Sequence, residues 1–129
     1  MEDESTISVI NQISEVWEDW LTPEAKAEFL EKSFYSMKAS DHPKAPAEFK
    51  KKMEGVRVLG LNMQTCYYFN FFLFEEFGGE LGEIDWLEKT LLEMEKNKEK
   101  AIIMGHIPPG SESCLGSYSR RFYGLMERF

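Results

Sequence analysis

The chain predicts an α/β fold organised around one β-α-β unit, and three segments carry that expectation. Val56-Arg-Val-Leu-Gly-Leu-Asn62 and Ala101-Ile-Ile-Met104 are apolar runs of strand type, and residues 83–97 between them repeat apolar positions at helical spacing. Strands joined through a helix run parallel with a right-handed crossover, so Asn62 and His106 come to the same edge of the sheet. With N-terminal helices added, this gives two or three strands and three helices. That is a thin sheet for 129 residues, and it would leave the outer strand uncovered. The chain is expected to be a single partial domain, a piece of something larger.

The elements follow in order. Ile7, Val9, Ile10, Ile13, Val16, Trp17, Trp20 and Leu21 recur at helical spacing, with Ser5 or Thr6 available as N-cap, and the helix should stop near Leu21. Thr22-Pro23-Glu24 restarts a second helix, with Thr as cap, Pro at the first helical position and Glu in the first turn. It runs to about Lys32 and buries Ala25, Phe29 and Leu30. Phe34-Tyr35-Ser36-Met37 reads as a short strand. Residues 39–55 form a turn-rich loop, with Asp41-His-Pro-Lys-Ala-Pro46 followed by a charged surface piece at Glu48–Lys52. After strand 56–62 comes an aromatic run, Tyr67 to Phe74, and then Gly78-Gly79. Buried packing is favoured for that run over exposure to lipid. In the 83–97 helix, Ile84, Trp86, Leu87, Leu91, Leu92 and Met94 form the apolar stripe, and its Glu and Lys residues form a solvated face. Glu83 and Asp85 in its first turn suit the helix dipole. Ser117–Phe129 is a last helix.

Composition narrows the function classes. Hydrophobic content of 43% and aromatic content of 14% favour a packed core over disorder. The net charge of −8 argues against nucleic acid and anionic membrane surfaces, because no basic patch can offset their phosphate charge. The N-terminus Met1-Glu-Asp-Glu-Ser-Thr6 is acidic and lacks the basic and apolar regions of a secretory signal. No apolar run approaches the roughly 18–20 residues that span a bilayer. Cys66 and Cys114 fit no short zinc motif. They are either a disulfide closing a long loop or two small apolar residues in a reducing compartment.

The candidate functional segment is Ala101-Ile-Ile-Met-Gly-His106-Ile-Pro-Pro-Gly110. An apolar run ends abruptly in Gly-His, and Pro108, Pro109 and Gly110 forbid a helix or a continuing strand. His106 thus stands at the carboxyl end of a buried strand, where open α/β sheets place their active sites. A loop stiffened by two prolines loses little entropy on holding a metal or substrate. The alternative for this histidine is a half-buried strand cap.

These residues resemble a known family. Ile102-Ile103 followed by Gly105-His106-Ile107-Pro108-Pro109-Gly110 is similar to the Gly-His-hydrophobic-Pro-Pro-Gly motif of acid sphingomyelinase and acid sphingomyelinase-like phosphodiesterases, members of the calcineurin-like metallophosphoesterase superfamily. Val16-Trp17-Glu-Asp-Trp20-Leu21 resembles the family's paired-tryptophan helix, and Ser33-Phe34-Tyr35 its Gly-Phe-Tyr strand. Leu61-Asn62-Met63 with Cys66, and Gly82-Glu-Ile-Asp-Trp86-Leu87, resemble two further segments. The matches are collinear from about Ser5 to Phe129. The resemblance implies a partial metallophosphoesterase-type sandwich, residues 1–129 being part of a catalytic domain with a loop insertion at about 39–55. It implies hydrolysis of sphingomyelin, or a related lipid phosphodiester, to ceramide and phosphocholine with zinc as cofactor. It also implies a Cys66–Cys114 disulfide in a lysosomal or extracellular protein, although Ser111-Glu-Ser113 places Cys114 slightly later than the family spacing.

The family holds two zinc ions through an Asp-x-His, a Gly-Asp, an Asn-His-Glu, the Gly-His matched here and a Gly-His-Thr-His. Only His106 has a counterpart in this sequence, and His42 matches no family position. A two-metal centre clamps attacking and departing oxygens between ions about 3.5–4 Å apart, which one histidine cannot arrange. The expectation is that this chain alone is inactive, with His106 as the metal ligand and no catalytic residue of its own. Tyr118 and Tyr123 resemble the aromatic segment near the substrate entrance, and core packing is the competing reading for Phe122 and Tyr123. Two other designs fare worse on chemistry: a thiol nucleophile paired with His106, which lacks an orienting acid, and a Cys66/His106/Cys114 zinc site. The alternative to an enzyme fragment is a non-catalytic α/β binding module derived from that fold, using its exposed sheet edges and aromatic run.

Overall fold

A computed structural model describes residues 4–74 and 82–129. The Gly78-Gly79 break lies outside the described residues. The architecture is mixed α/β, with a three-stranded sheet and five α-helices among the described residues. The chain divides into two compact units, Met1–Gly60 with Lys100–Ile103, and Leu61–Glu99 with Met104–Phe129.

In the first unit, α1 (Glu4–Val16) and α2 (Pro23–Lys32) precede strand β1 (Tyr35–Lys38). Ser5 and Thr6 lie within α1, so neither stands at its N-cap position. The helix also ends at Val16 and not near Leu21, giving way to turns closed by Trp20 N–H to the Trp17 carbonyl at 2.9 Å. The reason lies in the next element. Thr22 precedes a proline and caps α2, so it must be extended (φ −69°, ψ 159°), and the chain has to turn before it. Its hydroxyl accepts from Ala25 N–H at 3.2 Å. Val16, Trp17 and Trp20 are consequently exposed, while Leu21 enters the core with Ala25, Phe29 and Phe34. Leu30, expected inside, is exposed. The Trp17 and Tyr35 rings pack on Phe29 at 5.3 and 6.4 Å between centroids, and burial pushes the Tyr35 phenol above its ordinary pKa.

The charged piece of the 39–55 loop is a short surface helix, α3 (Ala47–Lys52). Strand β2 (Val56–Gly60) stops two residues short of Asn62 and pairs antiparallel with β1, Tyr35 opposite Gly60 and Lys38 opposite Arg57. Gly60 has to be glycine because a Cβ there would lie 2.5 Å from the Tyr35 ring. The strand order is β1-β2-β3, with β3 spanning Lys100–Met104. Lys100 N–H donates to the Gly55 carbonyl at 2.7 Å and Leu61 N–H to the Met104 carbonyl at 2.9 Å, so β2 and β3 run parallel. Here one expectation fails. β3 is not a buried strand: Ile102 is 43% and Met104 46% exposed. Strands of a parallel sheet are buried when neighbours and helices cover them, and β3 is one of the two edge strands of the described sheet.

The second unit contains α4 (Glu83–Lys96) and α5 (Gly116–Arg128). Ile84, Leu87, Leu91 and Met94 are buried as the stripe predicts, and Leu92 is exposed. Met63, Cys66, Ile84, Cys114 and Tyr118 form a buried cluster, against which Leu61, Ile107, Leu115, Phe122 and Leu125 pack. Among its side chains that the structure describes, the aromatic run departs from its expected burial at three positions. Tyr68, Phe69 and Phe71 are exposed, on a segment of single turns that offers no continuous face to bury. No described helix is long and apolar enough to cross a membrane.

Candidate functional site

The segment Gly105–Gly110 leaves β3 and is held at both ends by side chains of the second unit. At its start, Gly105 lies against the Met63 side chain, where an added Cβ would be 2.7 Å from Sδ and 2.9 Å from Cγ. Met63 is itself only 4% exposed, so it has little room to yield. The glycine before the histidine is thus required by close approach and not by backbone angle.

At its end, Gly110 adopts φ +85°, a conformation that favours glycine. Its N–H donates to Ser119 Oγ at 2.9 Å, and Tyr123 OH donates to the Pro109 carbonyl at 2.7 Å. Both partners come from α5. Between these anchors Ile107 packs on the buried cluster, and His106 is exposed. The Pro108 carbonyl accepts from Ser111 N–H at 3.1 Å, closing the turn that follows. His106 is therefore a solvent-facing imidazole on a short, fixed loop.

The segment beyond the loop is stapled to the segment beyond β2. Cys66 and Cys114 form a disulfide with Cα atoms 4.9 Å apart, inside the usual bonding range. Leu115 N–H donates to the Cys66 carbonyl at 2.7 Å and Tyr68 N–H to the Ser113 carbonyl at 3.2 Å. This bonding removes the thiol-nucleophile and Cys/His zinc designs, since both sulfurs are engaged.

Beneath the loop lies a polar group whose place in the sequence suggested only service to the helix dipole. Glu83 is fully buried. Its Oε1 accepts from Asn62 N–H at 2.5 Å, and its Oε2 accepts from Tyr118 OH at 3.0 Å and lies 2.6 Å from Thr65 Oγ1. The position was legible: Glu83 precedes Leu87, Leu91 and Met94 by four, eight and eleven residues, which is the buried face of α4. Ser119, which receives the Gly110 N–H, is a second residue that sequence reasoning missed. It stands four residues before Tyr123 on α5, and that spacing was the available signal.

The two tyrosines named near the substrate entrance part company. Tyr118 is fully buried in the cluster, and Tyr123 is 50% exposed beside Pro109. His42 lies in the first unit, where its Nδ1 accepts from Lys44 N–H at 3.2 Å and its ring meets Trp20 edge-on. Among the described residues no group of three or more His, Cys, Asp and Glu side chains could hold a metal ion. These residues do not fit a two-zinc centre, and His106 offers a single ligand.

Most of the chain matches known phosphodiesterases. It is 34% identical over 117 residues to a bovine sphingomyelin phosphodiesterase, covering 91% of this chain and 16% of that protein. It is 30% identical over 110 residues to sphingomyelin phosphodiesterase 1 of Caenorhabditis elegans, covering 85% of this chain and 17% of that one. It is 30% identical over 105 residues to human cyclic GMP-AMP phosphodiesterase SMPDL3A, covering 81% and 20%. No family model matches. The chain spans about one-sixth to one-fifth of the length of these relatives. Over that span, its Gly-His-Ile-Pro-Pro-Gly segment included, the chain is acid sphingomyelinase-like in sequence.

Proposed function

We propose that these residues form part of the catalytic domain of a zinc-dependent phosphodiesterase, and that His106 gives one imidazole ligand to a metal centre completed by other segments. The substrate is sphingomyelin or a related phosphodiester, cleaved in the first case to ceramide and phosphocholine. His106 would hold one ion of such a centre, and a metal pair there would supply stabilisation of charge on the reacting oxygens. This chain's own contribution is to present His106 at a fixed place, and alone it is inactive. The observation that carries the reading is the exposed His106 on a loop pinned by Met63 at one end and by Ser119 and Tyr123 at the other. The disulfide fits an oxidising compartment, lysosomal or extracellular.

The test begins with the coding sequence on either side, read for Asn-His-Glu upstream and Gly-His-Thr-His downstream. In a product carrying both, His106→Ala should lower sphingomyelin hydrolysis by more than the roughly 10- to 100-fold typical of outer-shell partners. In the 129-residue chain, calorimetry should show no zinc binding tighter than about micromolar, since one imidazole lacks chelation. Stoichiometric uptake of two zinc ions, or full activity of the His106→Ala product, would overturn the reading.

A second reading, a non-catalytic α/β binding module, draws on the exposed outer strand β3 with Ile102 and Met104. A stable stoichiometric partner for a chain without both flanking motifs would favour it.

A further inference from the structure

We propose that Glu83 is a positioning residue for the Gly105–His106 step, acting through Tyr118 and Met63. The inference rests on His106 being the chemically active group of this chain, but its test uses no metal and no turnover.

A buried carboxylate is costly unless its oxygens are satisfied, and an apolar residue would suit this face of α4 equally well. What a carboxylate adds is connection. Glu83 joins the backbone of Asn62 and the hydroxyl of Thr65, just past β2, to the phenol of Tyr118 on α5. Those partners lie 21, 18 and 35 residues away in sequence. The tie fixes the Tyr118 hydroxyl, which lies 4.0 Å from Met63 Sδ. Met63 is the surface on which Gly105 sits, with no space for a Cβ between them.

Methionine has three rotatable side-chain bonds and is the adaptable member of this stack. Packed on one side against the Tyr118 hydroxyl, whose single proton goes to Glu83, it becomes a fixed floor. Gly105 and His106 cannot then drop toward the core, and the Leu61–Met104 hydrogen bond stops them rising with the strand end. A ligand loop has to be held within about half an ångström of its working geometry, so a floor that shifts would misplace His106. The far end of the loop has separate anchors in Ser119 and Tyr123, and this makes the two ends separable by experiment.

The test is 15N relaxation on the labelled 129-residue chain, comparing wild type with Tyr118→Phe, Glu83→Ala and Glu83→Gln. In wild type the amides of Gly105, His106 and Gly110 should show the order parameters of rigid backbone, about 0.85. Tyr118→Phe and Glu83→Ala should lower Gly105 and His106 toward about 0.6 and leave Gly110 in place. Glu83→Gln should restore rigidity, since its carbonyl accepts from Asn62 N–H and its amide donates to the Thr65 and Tyr118 oxygens. Should Glu83→Ala fail to fold, Tyr118→Phe decides alone. A flexible Gly105 in wild type, no change at Gly105 and His106 in Tyr118→Phe, or equal loosening at Gly110 would overturn the proposal. Absence of phosphodiesterase activity in a longer product would instead strike the functional reading and leave these order parameters unaltered.

Discussion

Gly105 and Met63 approach so closely that a methyl group on Gly105 would stand 2.7 Å from the Met63 sulfur. Overpacking a formed core typically costs about 1–3 kcal/mol, so Gly105→Ala should destabilise by that amount in urea denaturation. Met63→Ala removes the obstacle while leaving a cavity of its own. In the double variant the penalty of Gly105→Ala should largely vanish, giving a coupling energy of about 0.5–3 kcal/mol. Strict additivity would show that the close approach is not what demands glycine here.

The Cys66–Cys114 bond joins residues 48 apart. Closing a loop of that length restrains the unfolded chain by roughly 4 kcal/mol in the entropy model, and removing a native disulfide typically costs about 2–5 kcal/mol. Cys66→Ala/Cys114→Ala should therefore unfold at distinctly lower urea than the oxidised chain. Reductant should bring wild type close to the variant and leave the variant unchanged. An oxidised chain no more stable than the reduced one would contradict this.

Most of the fold was legible because its elements carry local signals. Thr22-Pro23 announced α2, the spacing of Ile84, Leu87, Leu91 and Met94 announced α4, and two apolar runs announced β2 and β3. What failed were statements about burial, which depend on what covers a residue. Ile102 and Met104 read as interior but lie on an edge strand, and Trp20 reads as a helix-face residue but sits in a turn forced by the extended Thr22. At the candidate site, Gly-His-Ile-Pro-Pro-Gly marked the loop from sequence alone. Of its anchors Tyr123 was named through the resemblance, while the roles of Met63 and Ser119 were hidden because they reach the loop from other segments. Glu83 lay on the buried face by simple counting, yet acidic residues in a first helical turn so commonly serve the dipole that its network went unread.

Gly55 and Gly110, both at positive φ, separate backbone strain from crowding. Gly55 (φ +75°) has nothing within 4 Å of where an added methyl would stand, whereas at Gly110 (φ +85°) that position lies 2.5 Å from Tyr123 OH. Gly55→Ala should cost only the left-handed penalty of about 1–2 kcal/mol. Gly110→Ala should cost more, because it also displaces the hydroxyl that donates to Pro109. Adding Tyr123→Phe should recover the excess at Gly110 and do nothing for Gly55→Ala. Equal costs at the two positions in chemical denaturation would contradict the crowding at Gly110.

Glu95 on α4 and Arg128 on α5 form a two-pronged ion pair, at 3.1 and 3.2 Å. The Arg128 hydrogen bond holds the Glu95 carboxyl below its ordinary pKa, and the charge of Arg128 adds to it. A carboxyl depressed in the folded state contributes stability that is fully present above its unfolded pKa and is lost as pH falls through the folded value. The contribution at neutral pH should be small, because both side chains are exposed and screened by salt. Carbon-detected titration should place the Glu95 midpoint below that of an unpaired glutamate, and Arg128→Ala should return it upward. The stability difference between wild type and that variant should then shrink on acidification through the Glu95 titration, and should also shrink at high salt. A Glu95 midpoint indifferent to Arg128→Ala would show that the pair does not persist in solution.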